Sequence, residues 1–445
     1  DYAVLGIIAF NSFLGLIASY FIFKAFEELI IHEDISKKLC LLLIIGINPT
    51  ILKTGITGLE YGLVVLFISL LFLYISQDKN NYLLLISAIF LPITRIELVA
   101  VNLIIIFACF IYKNKKWLYL LFATFLGVLI NFILNYYFDG SIFSSSATSK
   151  WMMTSNQVNR FDLENLISSF SQWFLFSNSF FLGITTKYMI NFISFIISIA
   201  ILILVVSNFK YLIFYKFKQI PEKEKTLLLC LSLSIIFVPA SYILSGNVMS
   251  WYLLPFSFLT YVLLGYTFIK SKYFNLRNLS FFLFLLFFLS SLQFLILKNK
   301  GFQENSYRSY VGQFIYNHSE NKKKDTLFLE PAGYIPYFAK IKTYDTVGLA
   351  SPKIRKYRKK GVNNWWFNFI KNENPTYVVN RLDVNDDNFP DKEYIFSKSE
   401  LEWFKKNYFK VKSFDYKNHV KNFGGAFKEL YNLSYHASYH LFKLK

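Results

Sequence analysis

The apolar and polar positions of this chain fall into two regimes. From residue 1 to about 297, long apolar runs alternate with short polar breaks. A helix needs about 20 apolar residues to cross the hydrocarbon core of a bilayer. Runs near 3–23, 38–53, 57–76, 81–95, 97–112, 117–137, 187–206, 227–246, 250–269 and 278–297 predict about ten spans, with the second, fourth and fifth short. The stretch 163–182 repeats its apolar residues at helical spacing and predicts an amphipathic segment between spans.

Beyond residue 299 the pattern changes to dense Lys, Asn, Asp and Tyr between short apolar stretches. Strands are expected at Thr326–Glu330, Lys342–Thr346, Thr376–Asn380 and Lys410–Asp415, and alternation predicts another around His440. Helices are expected at 304–318, Tyr334–Ala339 and Ser399–Tyr408, the last with Ser399 as cap and Glu402 at capping-box spacing. Helices alternating with strands make an α/β domain. The expected architecture is therefore a polytopic α-helical membrane domain over 1–298, followed by a soluble extracytoplasmic α/β domain over 299–445.

Composition sharpens this picture. Of 445 residues 54% are hydrophobic, more than a soluble chain of this length requires. The formal net charge of +19 would suit a nucleic-acid binder, but the basic residues flank apolar runs instead of clustering on a polar face, so nucleic acid is excluded as a partner. They also sort by side. Alternate breaks carry Lys24, Lys37, Lys38, Lys79, Lys113, Lys115 and Lys116, while the others carry few cations, among them Lys53, Arg95 and Lys150. Lys and Arg are retained on the cytoplasmic side, which puts the second set and the tail outside. Cys40, Cys109 and Cys230 lie in apolar runs and predict buried thiols. The five histidines show no metal-ligand spacing, and no metal site is assigned. No basic leader precedes the first apolar run.

On this sidedness Glu60, Arg95, Glu97, Lys150, Trp251 and Tyr252 all fall near the outer ends of spans. Trp, Tyr and Arg serve as headgroup anchors, but carboxylates are poor ones, so the group predicts an outward-facing site. Glu97 is two residues from Arg95 and reaches it only if the local backbone is irregular.

Several local patterns, taken in order, resemble a known family. They are Thr57-Gly58-Leu59-Glu60, Thr94-Arg95-Ile96-Glu97, Tyr136-Tyr137-Phe138-Asp139-Gly140 followed by Ser144 to Lys150, and Trp251-Tyr252-Leu253-Leu254-Pro255. In the tail they continue with Gly333 and Tyr337, then Asp345 and Gly348. The chain resembles bacterial membrane glycosyltransferases of the GT-C superfamily, in the branch of mannosyltransferase-like and arabinofuranosyltransferase-like enzymes. It departs from them where Arg95-Ile96-Glu97 lacks the family's Pro and Gly, and where the loop after Gly140 is serine-rich.

The resemblance implies a multi-pass protein of the bacterial cytoplasmic membrane. Its cosubstrate would be a polyprenyl-phosphate-linked sugar and its acceptor a glycan or glycolipid of the cell envelope, with any divalent-metal requirement left open. Arg95 and then Lys150 would hold the phosphate, Glu60 and Glu97 would orient those cations or the acceptor, and Trp251 and Tyr252 would stack on sugar or lipid head. The family's catalytic acid lies in the first outside loop and is expected upstream of residue 1. The rival readings are a transporter or flippase, although no internal repeat is visible, and a non-catalytic membrane scaffold.

Overall fold

A computed structural model describes residues 2–51, 53, 60–77, 81–142, 203, 221–244, 252–271, 274–330, 333–348, 351–359, 364–382, 397–432 and 438–445. The described residues divide into two compact units, the first holding those up to Leu134 and those from 203 to Leu297, the second holding those from Asn135 to 142 and those from Lys298 to Lys445.

The first unit is helical. Helices run over Tyr2–Glu27, Ile35–Ile47, Tyr61–Ser76, Tyr82–Thr94, Val99–Ile111, Lys116–Asp139, Glu222–Leu244, Leu254–Lys270 and Leu276–Phe302, with Lys116–Asp139 and Leu276–Phe302 both ending in the second unit. Tyr2–Glu27 packs along Tyr61–Ser76, which packs in turn on Tyr82–Thr94. Glu222–Leu244 lies against Val99–Ile111 and Leu254–Lys270. Ala18, Ile22, Phe26, Val65, Phe72 and Phe258 share one continuous core. Lys116 is buried and donates from Nζ to the Tyr74 carbonyl at 2.6 Å and to the Gln77 carbonyl. Those are carbonyls at the end of Tyr61–Ser76, where a cation meets the negative end of the helix dipole. Cys40, Cys109 and Cys230 are buried free thiols.

The expectation of about ten spans is overturned. Among the described residues three helices are long and apolar enough to cross a membrane: Leu5–Ile30, Lys116–Phe138 and Glu222–Tyr242. Tyr61–Ser76, Tyr82–Thr94 and Leu254–Lys270 have 16, 13 and 17 residues. At about 1.5 Å per residue they extend roughly 20–25 Å, short of a hydrocarbon core of about 30 Å. Hydropathy marks where apolar residues are but not where helices stop. Ile35–Ile47 ends at Asn48 and Tyr82–Thr94 at Arg95, both in extended conformation. Apart from residue 203, the expected span at 187–206 and the amphipathic segment at 163–182 lie outside the described residues. On Lys116–Phe138 the exposed positions are apolar or aromatic, as with Phe122 and Phe125, which are 70% and 65% exposed on either side of buried Ala123 and Thr124. An outward apolar surface of this kind suits lipid better than water.

The second unit is built on a five-stranded sheet in the order β2-β1-β3-β5-β4. Its strands are β1 (Thr326–Leu329), β2 (Lys342–Asp345), β3 (Tyr377–Leu382), β4 (Tyr408–Phe414) and β5 (Ser438–Leu444). β1 pairs in parallel with β2 and β3, and β5 pairs antiparallel with β3 and β4. Successive side chains of a strand point to opposite faces. Leu327, Leu329, Tyr377, Val379, Tyr439 and Leu441 pack with Val311 and Ile315, while Phe328, Val378 and Phe442 pack with Ile354, Trp366, Phe369 and Phe404. Covered on both faces, β1 reads as an almost unbroken apolar run.

Two helix starts differ from the expected ones. The segment expected as one helix over 304–318 begins as a π-helical turn at Gln303–Arg308 and becomes α-helical at Ser309–His318. The helix expected from Ser399 spans Lys398–Asn407 with Ser397 as its cap, in a full capping box with Glu400.

Candidate functional site

The clearest polar assembly in the first unit is organised by a proline. Pro92 lies in the last turn of Tyr82–Thr94 and has no N–H to give the carbonyl four residues earlier. That carbonyl, on Ala88, instead accepts from Asn102 Nδ2 at 2.8 Å. Asn131 Nδ2 donates to the Pro92 carbonyl at 3.0 Å. Helix Lys116–Asp139 comes close enough to do this because Gly127 has no side chain: a Cβ there would collide with the Ile89 carbonyl. The helix then ends at Arg95, whose φ of −155° and ψ of 112° are extended, and Ile96–Leu98 forms a 3-10 turn.

This irregular backbone brings Glu97 back onto Arg95. Arg95 Nε donates to Glu97 Oε1 at 2.9 Å, and Nη2 donates to the same oxygen. Nη1 donates to the Tyr61 hydroxyl at 2.5 Å and to Glu60 Oε1 at 3.3 Å. The guanidinium lies over the Tyr252 ring, 4.4 Å from its centroid, and Tyr252 stacks on Tyr242 at 5.4 Å. Tyr242 also hydrogen-bonds Glu97. The Arg95 side chain is 8% exposed, whereas Glu97 and Glu60 are 35% and 41% exposed. A buried cation thus lies beneath two half-exposed carboxylates, flanked by tyrosines that supply both ring faces and hydroxyls.

Of the six candidates, the structure brings Glu60, Arg95, Glu97 and Tyr252 into one cluster. Lys150 and Trp251 lie outside the described residues. Tyr61 and Tyr242 belong to the cluster but were not among the candidates. Tyr61 follows Glu60 at the start of a helix, which is its one sequence signal; Tyr242 has none, since an aromatic in an apolar run reads as core. Among the described residues no group of three or more His, Cys, Asp or Glu side chains is placed to share a metal ion.

The tail residues that carry the resemblance divide by role. Asp345 is buried and builds its own turn: its Oδ1 accepts from the Val347 N–H at 3.0 Å, and its N–H donates to Ser351 Oγ at 2.9 Å. Gly348, at φ +83°, closes the turn and accepts from Arg355 Nη1 at 3.1 Å. Gly333, at φ +149°, precedes the helix Tyr334–Ala339, on which Tyr337 is exposed. His440 Nδ1 is 2.9 Å from Ser413 Oγ, and His436 lies outside the described residues.

Residues 297–436 match the model of a family described as a domain of unknown function (DUF8728), a stretch that takes in β1 to β4 and stops short of β5. No curated protein and no solved structure matches the chain.

Proposed function

We propose that this chain is a membrane-embedded glycosyltransferase of the GT-C kind. It moves a sugar from a polyprenyl-phosphate donor to a cell-envelope glycan or glycolipid on the outer side of the bacterial cytoplasmic membrane. One observation carries the reading: Arg95, the cation matched to the family's phosphate-contacting position, is buried at a helix break under Glu97 and Glu60 and against Tyr252. The order of the sequence patterns and three helices of membrane-spanning length support it as well.

The geometry sets out how the cluster would act. Departure of a phosphate leaves negative charge that a preorganised guanidinium stabilises. Four N–H···O contacts already engage Arg95, two to Glu97, one to Tyr61 and one to Glu60. One cation facing two carboxylates does not attract a further anion. The donor phosphate therefore replaces the Glu60 contact, the longest of the four and the one made by the most exposed partner. Glu97 and Tyr61 hold the guanidinium in place during the exchange. Tyr252 covers its other face and keeps water from it. This proposal gives the role of general base to neither carboxylate.

The test is donor binding by the purified full chain, followed by native mass spectrometry with a polyprenyl-phosphate hexose. Arg95→Ala should weaken binding at least tenfold, and Glu60→Gln, which removes the competing charge, should bind as tightly as wild type or tighter. Equal binding by Arg95→Ala, or a collapse of binding in Glu60→Gln, removes Arg95 from the phosphate site.

A further inference from the structure

The second unit contains a cleft of about 180 Å³ between β4 and the helix Tyr416–Phe423, at the start of Ser309–His318. Its floor is buried His419, whose Nε2 lies 2.8 Å from Ser306 Oγ, so the imidazole is fixed. Two aromatic rings stand at the mouth: Phe423 is 61% exposed and Tyr310 is 37% exposed, with centroids 6.4 Å apart. Lys412 reaches across one side, donating from Nζ to the Tyr310 hydroxyl at 3.0 Å, with its ammonium 4.4 Å from the Phe314 centroid. Asp415 uses Oδ1 to cap the helix at the Lys417 N–H, 2.9 Å away. Asn418 and Asn422, four residues apart on one helix, project exposed amides along the same side.

These features suit one class of ligand. An exposed aromatic face packs against the C–H face of a sugar ring while excluding water from it. An Asn amide both donates and accepts, so two in succession match the vicinal hydroxyls of a saccharide, which also donate and accept. The lining holds one ammonium and one carboxylate, which favours a neutral ligand. The cleft combines aromatic surface with several convergent polar groups, a form suited to an amphipathic small molecule. The cleft is open on one side, so a ring seated in it can belong to a longer chain.

We infer that this cleft is a saccharide-binding site for a neutral glycan, with Phe423 and Tyr310 as the stacking platform and Asn418, Asn422, Asp415 and Lys412 as hydroxyl partners. The inference stands independently of the transferase reading, because none of its residues belongs to the Arg95 cluster.

The test uses the full-length chain in detergent on an array of neutral hexose, N-acetylhexosamine and pentose oligosaccharides, with calorimetric titration of any that bind. Wild type should bind at least one. Phe423→Ala should weaken that binding roughly tenfold through lost stacking. Asn418→Ala with Asn422→Ala should weaken it by a similar factor, and neither change threatens folding because all three side chains are exposed. Binding to no saccharide on the array, or binding unchanged in both cleft variants, overturns the inference.

Discussion

Arg95 Nε and Glu97 Oε1 are 2.9 Å apart although a single residue separates them in the chain. A regular helix does not bring side chains at i and i+2 together. The pair exists because the helix stops at Arg95 and restarts through a 3-10 turn. The stop traces to Pro92 and the two asparagines that satisfy the backbone carbonyls around it. The Arg95 cluster is thus a product of a local backbone break.

The break itself can be tested. Asn102→Ala leaves the Ala88 carbonyl buried without a donor and should cost about 1–3 kcal/mol. Pro92→Ala returns an N–H to the helix, so the double variant should regain most of that loss. Thermal unfolding of the four proteins in one detergent gives the double-mutant cycle. Simple additivity of the two changes would mean that Asn102 does not answer Pro92.

The carboxylates should be ranked by exposure and distance. Glu97→Gln removes a charge engaged twice by a buried guanidinium and should cost about 1–2 kcal/mol. Glu60 is 41% exposed and 3.3 Å from Arg95, so Glu60→Gln should cost under about 0.5 kcal/mol. Arg95→Ala strands Glu97 and should exceed both. Melting midpoints that put Glu60→Gln above Glu97→Gln would contradict the geometry.

Gly348 occupies φ +83° in the Asp345 turn. Gly348→Ala forces an L-residue into left-handed backbone at about 1–2 kcal/mol. Limited proteolysis of the second unit should quicken accordingly, and an unchanged cleavage rate would show that the turn relaxes freely.

Two buried histidines give the second unit a pH dependence. Desolvation lowers the pKa of both His419 and His440, with Lys410 adding to the effect at His440. The folded state therefore binds fewer protons than the unfolded chain just below the ordinary histidine value of about 6.5. The stability is fully present above that value and is lost as pH falls through it toward the lowered folded values. Unfolding measured from pH 7.5 to 5 should show this loss, and His419→Gln with His440→Gln should flatten the slope. An equally steep slope in the double variant would place the titration elsewhere.

What the sequence revealed depended on whether local rules competed. Tyr334–Ala339 was legible because the turn signal Pro331-Ala332-Gly333 stands directly before it. The cap at Ser397 was not, because Ser397 and Ser399 each stand three residues before a Glu. The structure chooses through a distant partner, since Asn364 Nδ2 donates to Glu400, which is buried. The span count failed for a related reason: a run of apolar residues looks the same whether a helix continues through it or ends at Asn48 or Arg95. Glu60, Arg95, Glu97 and Tyr252 were legible as candidates because charge and aromatic groups stand out against apolar runs. Tyr61 and Tyr242 were hidden because their role depends on a guanidinium 34 residues away in one case and on the far Glu222–Leu244 helix in the other.

The most direct test of the central claim is sugar transfer itself. Protein expressed from the whole gene, purified and reconstituted in bacterial lipid, would be given radiolabelled polyprenyl-phosphate hexose and pentose, with membrane glycolipid and glycan as acceptors. Wild type should transfer label from one donor, and Arg95→Ala, confirmed as folded by its melting profile, should not. Label moving equally with Arg95→Ala, or no transfer from either donor by well-folded wild type, would contradict the account and leave the Arg95 cluster as a structural ion pair.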